Sequence, residues 1–175
     1  YAAVAAGRLG SEISSLILLT PGFFWNERFR SVLSIAETVV LRLIETFDLA
    51  PDRDQAFVPI PMEGTDFTLS PRWLDFIETD ELKTTRITLK SASVMDEIQE
   101  LSWRAMLEVD LPTLMVMASR DRIVDNDKVL QFIGNRFKED GPNRLVHMDS
   151  PHAIQFEHAD HVAQEILDHI RRASL

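Results

Sequence analysis

The sequence predicts an α/β fold with parallel strands, on the basis of two short apolar runs and a third short strand, each followed by a turn. The apolar runs are Ile13 to Thr20 and Leu114 to Ala118, and the third strand is Arg144 to Met148. Runs of this length fit strands that are buried on both faces, as in parallel sheets. Pro112 favours a strand over a buried helix for the second run, because proline suits the first position of a strand. Helical patterns alternate with the strands, which is the order of βαβ units.

Three helices are predicted around these strands. The alanine-rich start, Tyr1 to Arg8, resembles the last turns of a helix that stops at Gly7 or Gly10. Asp125 is a candidate N-cap for a helix from Lys128 to Lys138, which would bury Val129, Phe132, Ile133 and Phe137. A C-terminal helix from Asp160 to Arg172 would place Val162, Ile166 and Ile170 on one face.

Length, charge and cysteine content exclude several function classes. The 175 residues suffice for one domain with a real core. A net charge of −10 makes nucleic acid an improbable partner and disfavours anionic membranes. The absence of cysteine excludes disulfides, thiolate catalysis and cysteine-type metal sites, and fits a cytoplasmic protein. No apolar run approaches the ~20 residues that span a bilayer.

The segment between the first two predicted strands, residues 23–108, is too long for a simple connection. We expect it to form a helical layer that covers the carboxyl ends of the strands, with residues 1–22 and 109–175 forming the core. Helical spacing predicts helices over Arg30 to Phe47, Pro71 to Ile77 and Thr84 to Leu107. The residues placed inward are Leu33, Ala36, Val40, Leu43 and Phe47, then Trp73, Leu74 and Ile77, then Ile87, Val94, Ile98 and Leu101. The proline-rich stretch from Pro51 to Pro71 is predicted to be irregular, and nothing in residues 23–108 alternates as a strand would.

Phe23, Phe24 and Trp25 are candidates for substrate contact, because they follow directly on a strand end. Ligands of open parallel sheets bind beyond the carboxyl ends of the strands. Core packing is the alternative explanation for each of these aromatic residues.

Asp121 and His152 are the candidate catalytic residues. Each follows a predicted strand, and a right-handed crossover would make the two strands neighbours about 4.8 Å apart. A carboxylate that binds one imidazole nitrogen fixes the tautomer and leaves the other nitrogen free to accept a proton from a nucleophile. The competing interpretation is that Asp121 only caps its turn.

The other histidines are weaker candidates. His147 lies inside a strand and is predicted to be a hydrogen-bonded core residue, while His158, His161 and His169 are predicted to be exposed on the terminal helix. No metal-binding spacing such as His-Glu-x-x-His is present, and neither is a glycine-rich phosphate loop, so we expect no metal and no cofactor.

These residues resemble the α/β-hydrolase family, in particular its monoacylglycerol lipase and lysophospholipase-like branch. Leu111 to Val124 is similar to the family's seventh strand and acid loop, and Ser150-Pro151-His152 to Glu157 is similar to its histidine loop. Ile13 to Pro21 is similar to the sixth strand, and residues 23–108 to the helical lid. Acid before histidine is the chain order of this family. The resemblance implies that Asp121 is the triad acid and His152 the general base.

The family's nucleophile motif, Gly-x-Ser-x-Gly, does not occur in the 175 residues. The resemblance therefore implies that the chain is the C-terminal part of a larger hydrolase, whose serine lies upstream of Tyr1. We also expect the apolar strand edge from Leu16 to Leu19 to be covered, either by an N-terminal part of the same protein or by a second copy.

The expected function is a serine-type ester hydrolase that acts on hydrophobic ester or acyl substrates. Two alternatives remain open from the sequence. One is another chemistry of the same fold, such as that of dehalogenases, epoxide hydrolases or acyltransferases. The other is a partner-binding α/β module in which Asp121 and His152 are inert.

Overall fold

The computed structural model describes residues 1–46, 56–137 and 141–173. The helices and strands follow one another in the order α1 (Ala2–Leu9), β1 (Leu16–Leu19), α2 (Glu27–Thr46), β2 (Phe57–Pro59), α3 (Gly64–Phe67), α4 (Pro71–Thr79), β3 (Arg86–Thr88), α5 (Leu89–Glu108), β4 (Thr113–Ala118), α6 (Asn126–Ile133), β5 (Asn143–Met148), α7 (Ile154–Glu157) and α8 (Ala159–Ala173). Short 3-10 turns occupy Gly10–Glu12 and Gly134–Arg136.

The three predicted strands form one parallel sheet in the order β1-β4-β5, which confirms the predicted fold class. Leu16 of β1 pairs with Thr113 of β4, and Ala118 of β4 pairs with Met148 of β5. β4 is therefore central, and β1 lies at an edge of the sheet in the part of the chain that the structure describes.

All six residues of β4 are buried, so this strand contributes to the core on both of its faces. Met115 and Met117 pack into one apolar cluster with residues of α1, β1, α5 and α6. Leu114, Val116 and Ala118 pack into a second cluster, with residues of β5, α7 and α8. Helices thus cover both faces of the sheet, as an α/β architecture requires.

Helix α6, observed as Asn126–Ile133, begins at the predicted cap but ends earlier than the predicted Lys138. The Asp125 carboxylate accepts a hydrogen bond from the Lys128 backbone N–H at 3.0 Å, which confirms the N-cap. The helix ends at Gly134, whose φ of 50° is easily adopted only by glycine. Of the four residues predicted to be inward, Val129, Ile133 and Phe137 are buried and Phe132 is partly buried.

The segment from 56 to 88 contains two strands, so the prediction that nothing in residues 23–108 forms a strand was wrong. β2 and β3 make a two-stranded antiparallel sheet in which Phe57 pairs with Thr88. Each strand has three residues, which is too short for an alternating pattern to emerge. α5 consequently begins at Leu89, where the Thr88 hydroxyl accepts a hydrogen bond from the Ser91 N–H at 3.1 Å.

The predicted inward face of α5 was also partly wrong. Val94 and Leu101 are 41% and 55% exposed, whereas Leu89, Ser102 and Met106 are buried. α4 follows its prediction better, because Trp73, Leu74 and Ile77 are its least exposed residues. The helix predicted from Arg30 to Phe47 is observed as Glu27–Thr46. The side chains that were predicted to face inward on it are not among those that the structure describes.

The histidines of the last strand and helix differ from their predictions. His169 is buried and only 2% exposed, while Ile170 is 45% exposed, so the two residues exchange their predicted places. Val162, Ile166 and His169 follow a helical i, i+4, i+7 spacing toward the sheet. His147 is exposed on β5 and is not the core residue expected.

The helices of the described residues include no candidate for a membrane-spanning segment, which would need both sufficient length and an apolar sequence.

Candidate active site

The side chains of Asp121 and His152 are hydrogen-bonded to each other beyond the carboxyl ends of β4 and β5. His152 Nδ1 lies 2.8 Å from Asp121 Oδ2, although the two residues are 31 positions apart in the chain. The Asp121 side chain is 1% exposed, and the His152 side chain is 23% exposed. The carboxylate is therefore shielded from water, whereas the imidazole remains accessible.

The loop after β4 fixes the Asp121 carboxylate before it meets the imidazole. Asp121 Oδ1 accepts hydrogen bonds from the backbone N–H groups of Ile123, at 2.8 Å, and Val124, at 2.9 Å. These bonds use one carboxylate oxygen and leave Oδ2 for His152. An ionised carboxylate only accepts hydrogen bonds, so Nδ1 carries the proton and Nε2 is left as the acceptor.

Backbone hydrogen bonds also join the two loops directly. Ser119 N–H donates to the Met148 carbonyl at 2.8 Å, and Arg120 N–H donates to the Ser150 carbonyl at 3.0 Å. These bonds continue the pairing of β4 with β5 past the end of the sheet. The sheet consequently brings the loops that carry Asp121 and His152 side by side.

A third segment, residues 66–70, contacts the loop that carries His152. The backbone N–H of His152 donates to the Asp66 carbonyl at 3.2 Å, and that of Ala153 donates to the Phe67 carbonyl at 2.9 Å. The Phe67 ring meets the imidazole edge-on, with centroids 6.0 Å apart. We call residues 66–70 the 66–70 segment; the sequence did not point to it.

The Glu157 carboxylate also binds the 66–70 segment. Its Oε1 accepts hydrogen bonds from the Thr68 hydroxyl and from the backbone N–H groups of Leu69, at 2.8 Å, and Ser70, at 3.1 Å. The Thr68 hydroxyl and these two N–H groups hold the pKa of the Glu157 carboxyl below its usual value. In the sequence, Glu157 stands only as the last residue of the histidine loop. The one sequence feature that could have indicated its role is a carboxylate five residues after His152.

The Asp66 carboxylate contacts the loop that carries Asp121. Asp66 Oδ1 lies 3.3 Å from Arg122 Nε and 3.9 Å from Arg28 Nη1, and the side chain is 4% exposed. Its other oxygen accepts the Glu63 N–H at 2.9 Å in a capping box. The 66–70 segment therefore touches both loops of the candidate site.

An apolar cavity of about 430 Å³ lies on the far side of Phe67 from the candidate pair. Its lining includes Phe29, Met62, Phe67, Ile77, Ile87 and Phe156. His152 does not line the cavity; Phe67 connects the two, because its ring lines the cavity and also contacts the imidazole. A cavity of this size and lining suits an apolar ligand group.

The three aromatic residues after β1 occupy different environments. Phe23 is buried, packs on Phe132 and borders a second cavity of about 350 Å³, which Trp25 also lines. Phe24 packs between Trp103 and Phe132. Substrate contact by these residues stays a prediction.

In residues 1–46, 56–137 and 141–173, no three histidine or acidic side chains lie together in an arrangement that could hold a metal ion.

Comparisons with known proteins place this chain in a family. The family model described as serine aminopeptidase, S33, matches residues 1–158. No curated protein matches the sequence.

Solved structures with the same fold include three proteins of low sequence identity. The monoacylglycerol lipase of Paleococcus ferrophilus is 13% identical with a TM-score of 0.68, and the match covers 95% of this chain and 63% of that one. A soluble variant of monoglyceride lipase from Saccharomyces cerevisiae, in complex with a substrate analogue, is 14% identical with a TM-score of 0.62 (98% and 59% covered). DcsB in complex with its substrate analogue is 15% identical with a TM-score of 0.60 (98% and 60%).

This chain thus spans about three fifths of the length of each of these solved proteins. The likeness at this level of identity shows the fold, while the match over residues 1–158 shows the family. The chain belongs to the α/β-hydrolase family described as serine aminopeptidase, S33.

Proposed function

We propose that the protein is a serine-type carboxylic-ester hydrolase in which Asp121 orients His152 and His152 is the general base. The observation that carries this proposal is the 2.8 Å hydrogen bond between His152 Nδ1 and a buried Asp121 carboxylate beyond the carboxyl ends of two neighbouring strands. Membership of a hydrolase family supports it. Two of the structures with the same fold are lipases of monoacylglycerols, which favours esters as the substrate class.

The proposed nucleophile is a serine in a segment that precedes Tyr1. Its hydroxyl proton passes to His152 Nε2 as the serine oxygen attacks the ester carbonyl carbon. Asp121 stabilises the imidazolium that forms. The same proton then goes to the departing alcohol oxygen as the ester bond breaks. Water repeats the sequence on the acyl-serine and releases the carboxylic acid.

The proposed substrates are hydrophobic esters whose acyl group occupies the apolar cavity that Phe67 lines. Its lining by Phe67, Ile77 and Phe156 supports this choice, because an apolar chain gains free energy in proportion to the surface that it buries. In this proposal residues 23–108 form a lid over the strand ends, and Phe23, Phe24 and Trp25 are additional candidates for substrate contact.

The proposed partner of the Leu16–Leu19 edge is the segment that precedes Tyr1, with a second copy as the alternative. β1 uses one edge to pair with β4, and its residues Leu16 and Leu18 are buried in the apolar cluster between the sheet and the helices. A free apolar strand edge favours pairing with another strand. Sedimentation of the chain that begins at Tyr1 tests this: self-association is expected, and a monodisperse monomer would contradict it.

The function is tested by fluorophosphonate labelling and p-nitrophenyl ester hydrolysis with the full-length protein. We expect the wild type to be labelled and active, and His152→Ala to lose activity by about 10³-fold or more. His147→Ala is the matched control, because His147 is exposed on β5. Full activity of His152→Ala would show that the imidazole is not the base.

A further inference from the structure

We propose that Glu157 is a positioning residue for the reaction, acting on His152 through the 66–70 segment. This inference rests on the proposed function. Glu157 lies outside the Asp121–His152 pair, and its carboxylate binds the part of the chain that holds the His152 backbone in place.

The first observation is the concentration of donors on one oxygen. Glu157 Oε1 accepts three hydrogen bonds, from Thr68 Oγ1, Leu69 N–H and Ser70 N–H, which lie 87 to 89 positions away in the chain. Charge-assisted bonds of this kind are roughly twice as strong as neutral ones. Thr68 is fully buried, and its hydroxyl oxygen also accepts the Ser70 N–H at 3.1 Å. The chain at 68–70 is therefore fixed to α7.

The second observation is what this fixed chain carries. Immediately before Thr68, the carbonyls of Asp66 and Phe67 accept the backbone N–H groups of His152 and Ala153. The two stretches 66–70 and 152–157 thus form a closed ring of contacts, with Glu157 at one end and His152 at the other. Trp73, which follows the 66–70 segment, stacks on Phe156 with ring centroids 4.7 Å apart and adds an apolar contact to these hydrogen bonds.

The third observation is that the 66–70 segment also contacts the loop that carries the candidate acid, Asp121. The Asp66 carboxylate lies 3.3 Å from Arg122 Nε, and Arg122 directly follows Asp121. Loss of the Glu157 anchor therefore releases a segment that touches both loops. A displacement of about 1 Å at a reacting group can cost on the order of 10²-fold in rate, so a modest shift of the imidazole has a measurable effect.

The test compares Glu157→Ala, Glu157→Gln and Glu165→Ala in the full-length protein. Glu165 is the matched control, because it is also a partly buried carboxylate in the C-terminal region, paired with Arg144 at 2.8 Å but away from the 66–70 segment. We expect Glu157→Ala to lower kcat about tenfold or more with little change in KM. Glu157→Gln should restore most of kcat, since its amide oxygen accepts the same bonds, and Glu165→Ala should retain wild-type kcat.

Thr68→Val gives a second route to the same contact, because it removes the hydroxyl without changing the side-chain shape. It should lower kcat in the same direction as Glu157→Ala, and it decides the question if Glu157→Ala does not fold. Equal kcat losses in Glu157→Ala and Glu165→Ala, or wild-type kcat in both Glu157→Ala and Thr68→Val, would overturn the inference.

A spectroscopic readout separates this inference from the proposed function. The proton between His152 Nδ1 and Asp121 gives a downfield NMR resonance whether or not the protein hydrolyses esters. It should be present in the wild type and Glu165→Ala and weakened or lost in Thr68→Val. An inactive wild type with this pattern would refute ester hydrolysis and support the positioning role, whereas an unchanged resonance in Thr68→Val would refute the positioning role.

Discussion

Ala118 and Met148 are partners in register at the ends of β4 and β5, and the candidate acid and base follow them by three and four residues. Parallel strands bring their carboxyl ends to the same edge of a sheet, so two short loops suffice to join Asp121 to His152. Strand register therefore brings the two loops together, and Asn126 of the intervening helix also holds the end of β4 through a 2.8 Å hydrogen bond from its side-chain N–H to the Ala118 carbonyl.

Asp121→Asn should abolish most of the activity and leave the protein folded. The asparagine oxygen can still accept the Ile123 and Val124 N–H groups, but the amide carries no charge to stabilise the imidazolium. We expect kcat to fall by about 10³ to 10⁴-fold, by analogy with triads of the same chemistry. Ester hydrolysis and thermal unfolding of the full-length protein measure the two effects, and a variant with kcat near that of the wild type would contradict the assignment.

Ile77→Trp should change the chain-length preference by filling the apolar cavity. The added indole volume occupies space that Phe67, Ile87 and Phe156 otherwise enclose. We expect kcat/KM for a p-nitrophenyl decanoate to fall about tenfold or more, while that for the acetate stays close to the wild-type value. Ile35→Trp, in the separate polar cavity that Asp96 lines, serves as the control. An equal loss for both esters would argue against an acyl site in the apolar cavity.

His169 should make the protein less stable as the pH falls. Burial lowers the pKa of His169, the nearby positive charges of Arg144 and Arg172 lower it further, and a hydrogen bond with the Pro112 backbone opposes them only in part. The folded state therefore keeps the imidazole neutral at a pH where the unfolded chain already binds a proton. The stabilisation is fully present above the unfolded pKa of 6.5 and is lost as the pH falls below it.

Urea denaturation at about pH 8 and about pH 5.5 tests this dependence. The wild type should lose more stability between the two values than His169→Gln, which cannot titrate in this range. His161→Gln is the control, because His161 is exposed on the same helix. Identical losses in the wild type and His169→Gln would show that His169 is not responsible.

Leu114→Ala should destabilise the fold strongly, because Leu114 is fully buried in the central strand. Truncation of a buried leucine costs about 2–5 kcal/mol, depending on how far the cavity collapses. Leu82→Ala, at a site that is 88% exposed, should change the free energy of unfolding by less than about 0.5 kcal/mol. Urea midpoints of the two variants give the comparison, and similar values would contradict the burial.

The sequence carries enough local information to predict the sheet and the Asp121–His152 pair. β1 and β4 are apolar runs, β5 is a short mixed strand, and each is followed by a turn; Asp121 and His152 follow β4 and β5. In each case the signal lies within about ten residues of the feature predicted, which is the range over which periodicity and turn chemistry act.

The contacts that the sequence did not reveal join distant and irregular parts of the chain. The partners of the Glu157 carboxylate include two backbone N–H groups more than 80 positions away, and any residue except proline offers such a donor. β2 and β3 are missed for a related reason, because each has only three residues and is stabilised by the other. The burial of His169 was not predicted, because a histidine on an amphipathic helix is expected on the polar side. Its burial follows only once it is known which side of the helix faces the sheet.

The burial of β4 on both faces has a consequence for how the protein melts. The residues from Leu114 to Ala118 alternate between the two apolar clusters, so both clusters depend on the same five consecutive residues. Neither cluster can come apart while the strand keeps its register. The two halves of the core should therefore be lost together in a single cooperative transition, as is usual for small domains with one shared core.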